Sequence, residues 1–222
     1  MAVKAQEVKD RISASLTLQL ITEGFTYKKS TNEYKRTDGD YTYFFRIEQV
    51  LWSDHYSINV HLEISHKKVE TIVENILGKQ RHKFTIGNTI DRIKASPDGR
   101  VVVNGDLGFV ILFEGDIEAA IETLYEYYTN IAKPYFKKYS SLAALDDIMN
   151  NEPFEHCPAH VGGMFYERCL KGLIVAKLVD NPRYGELVAI YNEEIKETFN
   201  EEFITAYQKV RDYLLVNTIS ID

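Results

Sequence analysis

The stretch "YTYFFRIEQVLWSDHYSINVHLEIS" (Tyr41–Ser65) decides the fold. In its first part Tyr41, Tyr43, Phe45, Ile47 and Leu51 recur with a period of two, while Thr42, Arg46 and Glu48 fall between them. In its last part Ile58, Val60, Leu62 and Ile64 alternate strictly with Asn59, His61 and Glu63. A period of two is the mark of a strand with one face buried and one face in water. The intervening "WSDHY" is turn-like, so the two strands are expected to pair antiparallel as a hairpin. Tyr41, Phe45, Ile47, Ile58, Val60, Leu62 and Ile64 then share one buried sheet face.

Upstream, Val8, Ile12, Leu16 and Leu20 recur every four residues. This is the stripe of an amphipathic helix, and Gly24 stands where a left-handed cap belongs. A further strand is expected around "NEYKR" (Asn32–Arg36), turned by "DGD" (Asp38–Asp40). Downstream, "VETIVENILG" (Val69–Gly78) reads as a short helix. "HKFTIG", "TIDRIKA" and "RVVVNG" read as strands, with "SPDGR" (Ser96–Arg100) as the turn between the last two. "FVILF" (Phe109–Phe113) is a short apolar run and reads as a buried strand.

From Asp116 the period changes for good. Asp116 is expected to cap a helix whose stripe is Ile117, Ile121, Leu124, Tyr128 and Ile131, ended or kinked by Pro134. Further helices are expected over Ser141–Met149, Gly163–Leu178, Pro182–Phe199 and Glu201–Val216, the last capped by Asn200. The predicted class is α+β: an N-terminal helix and a mostly antiparallel sheet with hairpins, then a C-terminal helical array packed on it. The regions are 1–115 and 116–222. With no flexible linker between them, they are expected to form one continuous unit.

The helix ending in Gly24-Phe25, the following "YKKSTNEYKR", the "YTYFFRIEQ" strand and the alternating "SINVHLEIS" together resemble an uncharacterised bacterial family, domain of unknown function 4304. The resemblance covers about Ile12 to Ser65 and leaves the helical half unmatched. It implies an α+β fold in a bacterial protein, and it brings no catalytic residues.

The 222 residues are 45% hydrophobic and 27% charged, which is ordinary globular composition. The longest apolar candidate for a membrane span, "GLIVAKLV" (Gly172–Val179), is short and broken by Lys177. The opening residues hold no apolar run of signal-peptide type, and two cysteines make no disulfide framework. A cytoplasmic protein is expected. The formal charge of −7 divides into +2 over 1–111 and −9 over 112–222. The acidic half disfavours nucleic acid and favours a basic partner. Solvated acidic helix faces would give the same count.

Four groups of residues could carry function. "EHCPAHVGG" (Glu155–Gly163) brings His156, Cys157 and His160 together, with Cys169 nine residues beyond His160. These are zinc-ligand types, but no Cys-x-x-Cys pair is present and the spacing is poor for a tetrahedral site. Cys157 with His160 could form a nucleophile and base; a packed cysteine beside a Pro turn is the structural alternative. On the sheet, Arg46, Glu48, His61 and Glu63 are expected on one face, as a ligand surface, an acid–base pair or ordinary cross-strand ion pairs.

The aromatic run "LYEYYTNIAKPYFKKY" (Leu124–Tyr139) holds Tyr125, Tyr135 and Tyr139 as candidate binding residues, with core packing as the alternative. The acids of "YNEEIKETFNEEF" (Tyr191–Phe203) lack the Glu-x-x-His partner of a metal-binding bundle and read as a solvated face. No cofactor is expected. The leading expectation is a non-enzymatic protein-binding module, inhibitor- or immunity-like. The alternative is a small hydrolase or transferase using Cys157 and His160, or the patch around His61. Self-association to a homo-oligomer is a third reading.

Overall fold

A computed structural model describes residues 5–51, 55–78, 84–95, 109–153, 165–198, 200–217 and 219. Helix α1 (Ala5–Leu20) is followed by a short 3-10 turn that ends at Gly24, whose φ of 83° is the expected left-handed cap. Strands β1 (Thr26–Lys28), β2 (Glu33–Asp38), β3 (Tyr41–Leu51) and β4 (Tyr56–His66) form an antiparallel meander. The hairpin of β3 and β4 runs in unbroken register from Tyr41 opposite His66 to Leu51 opposite Tyr56. The far edge of β4 is shared. Strand β5 (Ile86–Thr89) pairs with His61–Ile64, and β6 (Phe109–Ile111) pairs with Tyr56–Ile58. Gly87 is required for the first pairing, because a Cβ there would stand 2.7 Å from the Leu62 carbonyl oxygen.

Two segments depart from the sequence reading. "TIDRIKA" is not a strand: Ile90–Ala95 form a short helix, α3, that buries Ile90 and Ile93. The alternation of Ile90 and Ile93 is three residues, a helical spacing that the β-branched side chains obscured. Strand β1 was not foreseen, being only three residues long. "RVVVNG" and its "SPDGR" turn lie outside the described residues.

The apolar sheet face carries Tyr43, Phe45, Ile47, Ile58, Val60, Leu62 and Ile64, all buried; Tyr41, at its end, is half-buried. Burying each such aliphatic side chain contributes about 1.5–3 kcal/mol. This face is closed by α1 and by α4 (Asp116–Tyr127), which continues through a π turn (Tyr128–Ala132) into α5 (Lys133–Lys138). Tyr128 packs edge-on against Phe25 and Phe45, and Phe136 packs on Tyr43. The π turn has a covalent cause. Pro134 has no N–H for the Asn130 carbonyl, and the helix answers with a wide turn closed from Lys133 N–H to the Tyr128 carbonyl. Asp116 is the first residue of α4 and accepts from the backbone N–H groups of Leu112 and Phe113, at 2.9 and 2.8 Å. It therefore ties the exit of β6 to the helix instead of capping the helix N–H groups.

The remaining helices are α2 (Lys67–Leu77), α6 (Leu142–Asn150), α7 (Phe165–Leu178), α8 (Tyr184–Thr198) and α9 (Glu201–Val216). Ser141 caps α6 and Asn200 caps α9. Helix α7 packs on α6, α8, α9 and α2. Its residues from Arg168 to Ala176 are all buried, so the apolar "GLIV" run is explained by a helix surrounded by other helices. No helix among the described residues is long and apolar enough to cross a membrane. The buried apolar side chains form one cluster from Val8 to Leu214, spanning both the sheet and the helical half.

Candidate functional site

The strict register of β3 and β4 brings the four polar sheet residues together. Arg46 stands opposite His61, so each reaches a carboxylate on the diagonal. The Arg46 guanidinium donates to Glu63 at 2.8 Å, and His61 Nε2 lies 3.1 Å from Glu48. The hydrogen bond from His61 is the main cause holding the Glu48 carboxyl below the usual range, opposed by partial burial. The helices cover the other sheet face. An imidazole oriented for acid–base work has its carboxylate behind it and its free nitrogen toward substrate. Here the order is inverted: Glu48 is 46% exposed and the His61 side chain 19%. The patch is one cross-strand ion pair, Arg46 with Glu63, beside the His61–Glu48 hydrogen bond, both of modest worth.

The aromatic run divides by helical geometry. Tyr135 and Tyr139 are buried, ring against ring at 5.0 Å, and burial pushes the Tyr135 hydroxyl well above its ordinary pKa. Their edges form the floor of a groove of about 470 Å³ between α3 and the α4–α5 helix. Tyr127, Ile131 and Pro134 continue this floor along the helix, and Ile93 stands on the α3 wall.

Tyr125 lies elsewhere, on the outer seam between α1 and α4. Arg11 binds Glu114 and Glu118 at 3.1 and 2.7 Å, and Lys133 binds Glu23 at 2.8 Å. These contacts at both ends show that α1 and α4 run parallel and in step. Leu18 is seven residues beyond Arg11, and Tyr125 seven beyond Glu118, so each repeats the face of its predecessor two turns later. Leu18 is 74% exposed, Ile21 60% and Tyr125 37%, and Glu118, Glu122 and Glu126 are exposed along the same helix. Leu18 and Ile21 escaped the sequence reading, although both fall outside the stripe of Val8, Ile12, Leu16 and Leu20.

Two buried polar networks also went unforeseen. Lys171 on α7 donates to Glu70 on α2 at 3.1 Å and to the Phe84 carbonyl. Thr85 donates to Glu70 at 2.9 Å and accepts from the His66 backbone N–H at 2.9 Å. The lysine and glutamate side chains are 5% and 9% exposed. This network fastens α2, the approach to β5 and α7 to one another. In the second, Arg168 donates to the carbonyls of Met149 and Glu152, satisfying the end of α6. Asn150 donates to Asp146 and to the Gly172 carbonyl, and accepts from Tyr191. Desolvation raises the Asp146 pKa against the hydrogen bonds from Asn150 and Asn181. Both networks are explained by satisfaction of buried backbone and charge.

Cys169 is fully buried within α7 and forms no disulfide among the described residues. His156, Cys157 and His160 lie outside the described residues, so the structure leaves their sequence reading where it stood. Among the described residues no group of three or more His, Cys, Asp or Glu is placed to hold a metal ion. No family model, curated protein or solved structure matches the chain.

Proposed function

We propose that this chain is a non-enzymatic protein-binding module that receives a basic partner on the α1–α4 seam, in the manner of an inhibitor or immunity protein. The observation that carries the reading is the exposure of Leu18 on α1 and Ile21 in the 3-10 turn after it, two aliphatic side chains lying in water beyond a core stripe that is already complete. An exposed aliphatic and aromatic centre ringed by charge is the composition of a protein interface. Glu118 and Glu122 are exposed carboxylates on α4, and Arg11 is already occupied by Glu114 and Glu118. Such a ring steers a basic partner and makes association sensitive to salt.

The test is affinity capture from the native cell, with wild type beside the Leu18→Glu/Ile21→Glu variant. The expected result is a basic protein retained by wild type, released by salt and lost from the variant. A captured set unaffected by the variant overturns the reading. Capture of a second copy of the chain replaces the basic partner with self-association.

A further inference from the structure

The groove between α3 and the α4–α5 helix is independent of that seam. Its floor follows one helix face through Tyr127, Asn130, Ile131, Pro134, Tyr135 and Lys138, with Glu126 at one end. Glu126 and Lys138 are twelve residues apart, or about 18 Å along the axis, so the groove carries opposite charges at its two ends. Lys138 is held over the Tyr139 ring at 5.1 Å, which fixes its ammonium at the groove. The second cation, Lys94, comes from the α3 wall and makes no ion pair among the described residues. The π turn enforced by Pro134 gives the floor its width, and a wide turn inside an α-helix is a recurrent feature of binding sites. A volume of about 470 Å³ is in the range that holds a small molecule.

We propose that this groove binds a small amphipathic anion, an elongated apolar body carrying one carboxylate. The carboxylate pairs with Lys138, Lys94 on the α3 wall adds positive charge, and the apolar body lies over Tyr135, Ile131 and Tyr127 toward Glu126. Two lysines against one glutamate favour an anion over a cation. The position of Glu126 sets the direction, since a carboxylate placed beside it would be repelled. The lining is mainly aromatic and aliphatic, with polar groups at Asn130, Glu126 and the two lysines, which favours an apolar body over a sugar or a nucleotide.

Calorimetric titration of the full-length chain with dodecanoate, kept below micelle formation, tests this, with dodecanol and dodecyltrimethylammonium as the neutral and cationic probes. Saturable one-to-one binding of dodecanoate is expected, with the alcohol weaker and the cation weakest. Lys94→Gln/Lys138→Gln should weaken dodecanoate about tenfold or more and leave dodecanol unchanged. Lys94→Glu/Lys138→Glu should reverse the order of the two charged probes. Both pairs are exposed, and unchanged circular dichroism shows that the fold persists. Absence of saturable dodecanoate binding, equal affinity for all three probes, or indifference to the lysine variants overturns the proposal.

Discussion

The molecule holds two sets of ion pairs that look alike on paper and differ in physics. On the open sheet face, Arg46 meets Glu63 and His61 meets Glu48 across neighbouring strands. Between α2 and α7, Lys171 meets Glu70 at a similar distance of 3.1 Å, but with both side chains almost wholly out of water. The first set keeps partial access to water, with Arg46 and Glu63 29% and 13% exposed and His61 and Glu48 19% and 46%, so each pair is weakened and either partner is lost more cheaply. The second set lost its hydration on folding. It persists only because Thr85 and the Phe84 carbonyl complete its hydrogen bonds. An ion pair therefore reports on stability through its surroundings, and the distance alone does not rank it.

The sharpest way to break this comparison is Lys171→Met. It leaves the Glu70 carboxylate buried without its cation and should cost about 3–5 kcal/mol in urea unfolding. Adding Glu70→Leu should recover much of that loss. A loss under about 1 kcal/mol for the single variant would place the pair with the screened ones.

Leu62→Ala comes next. It removes a wholly buried side chain from the strand that carries His61 and Glu63, and should cost about 2–5 kcal/mol. A change within about 0.5 kcal/mol would mean that the strand does not face the core as described.

His66 sits at the join of the two regions, buried, edge-on to Tyr41 at 4.8 Å. Burial lowers its pKa, with Asp40 opposing the shift and Lys68 adding to it. The unfolded chain then takes up a proton that the folded chain does not, so unfolding free energy must fall as pH drops through about 6.5 toward the folded pKa. The His66→Phe variant should lose that part of the slope between about pH 7 and pH 5. Identical slopes would show that His66 does not titrate differently on folding.

The smallest effect belongs to the sheet patch. A double-mutant cycle on Arg46 and Glu63 should give a coupling of about 0.2–1 kcal/mol, falling as salt is added. A coupling of several kcal/mol, unaffected by salt, would put this pair in the same class as Lys171 and Glu70.

What could be read in advance divides along the same physical line. The period of two in β3 and β4 fixed their buried face and, through the register, brought Arg46, Glu48, His61 and Glu63 onto one surface. Periodicity is written in adjacent residues, so it survives without the rest of the molecule. The caps at Gly24 and Asn200 are local for the same reason. Sequence alone also separated the acidic half from the near-neutral one, and it placed Pro134 as the point where a helix must yield.

Only the folded chain decided the rest. Glu70 and Lys171 are 101 positions apart, and nothing in either neighbourhood marks the other as its partner. Leu18 and Tyr125 are exposed on two helices that lie far apart in sequence yet run in step, which the Arg11–Glu118 contact reveals. The groove exists because α3, which reads as a strand from its β-branched residues, folds as a helix opposite the π turn. Local pattern is set by backbone sterics and the alternation of side chains within a few residues. Pairing, burial of charge and the shape of a cavity depend on which distant segments exclude water from one another, and that is a property of the packed chain.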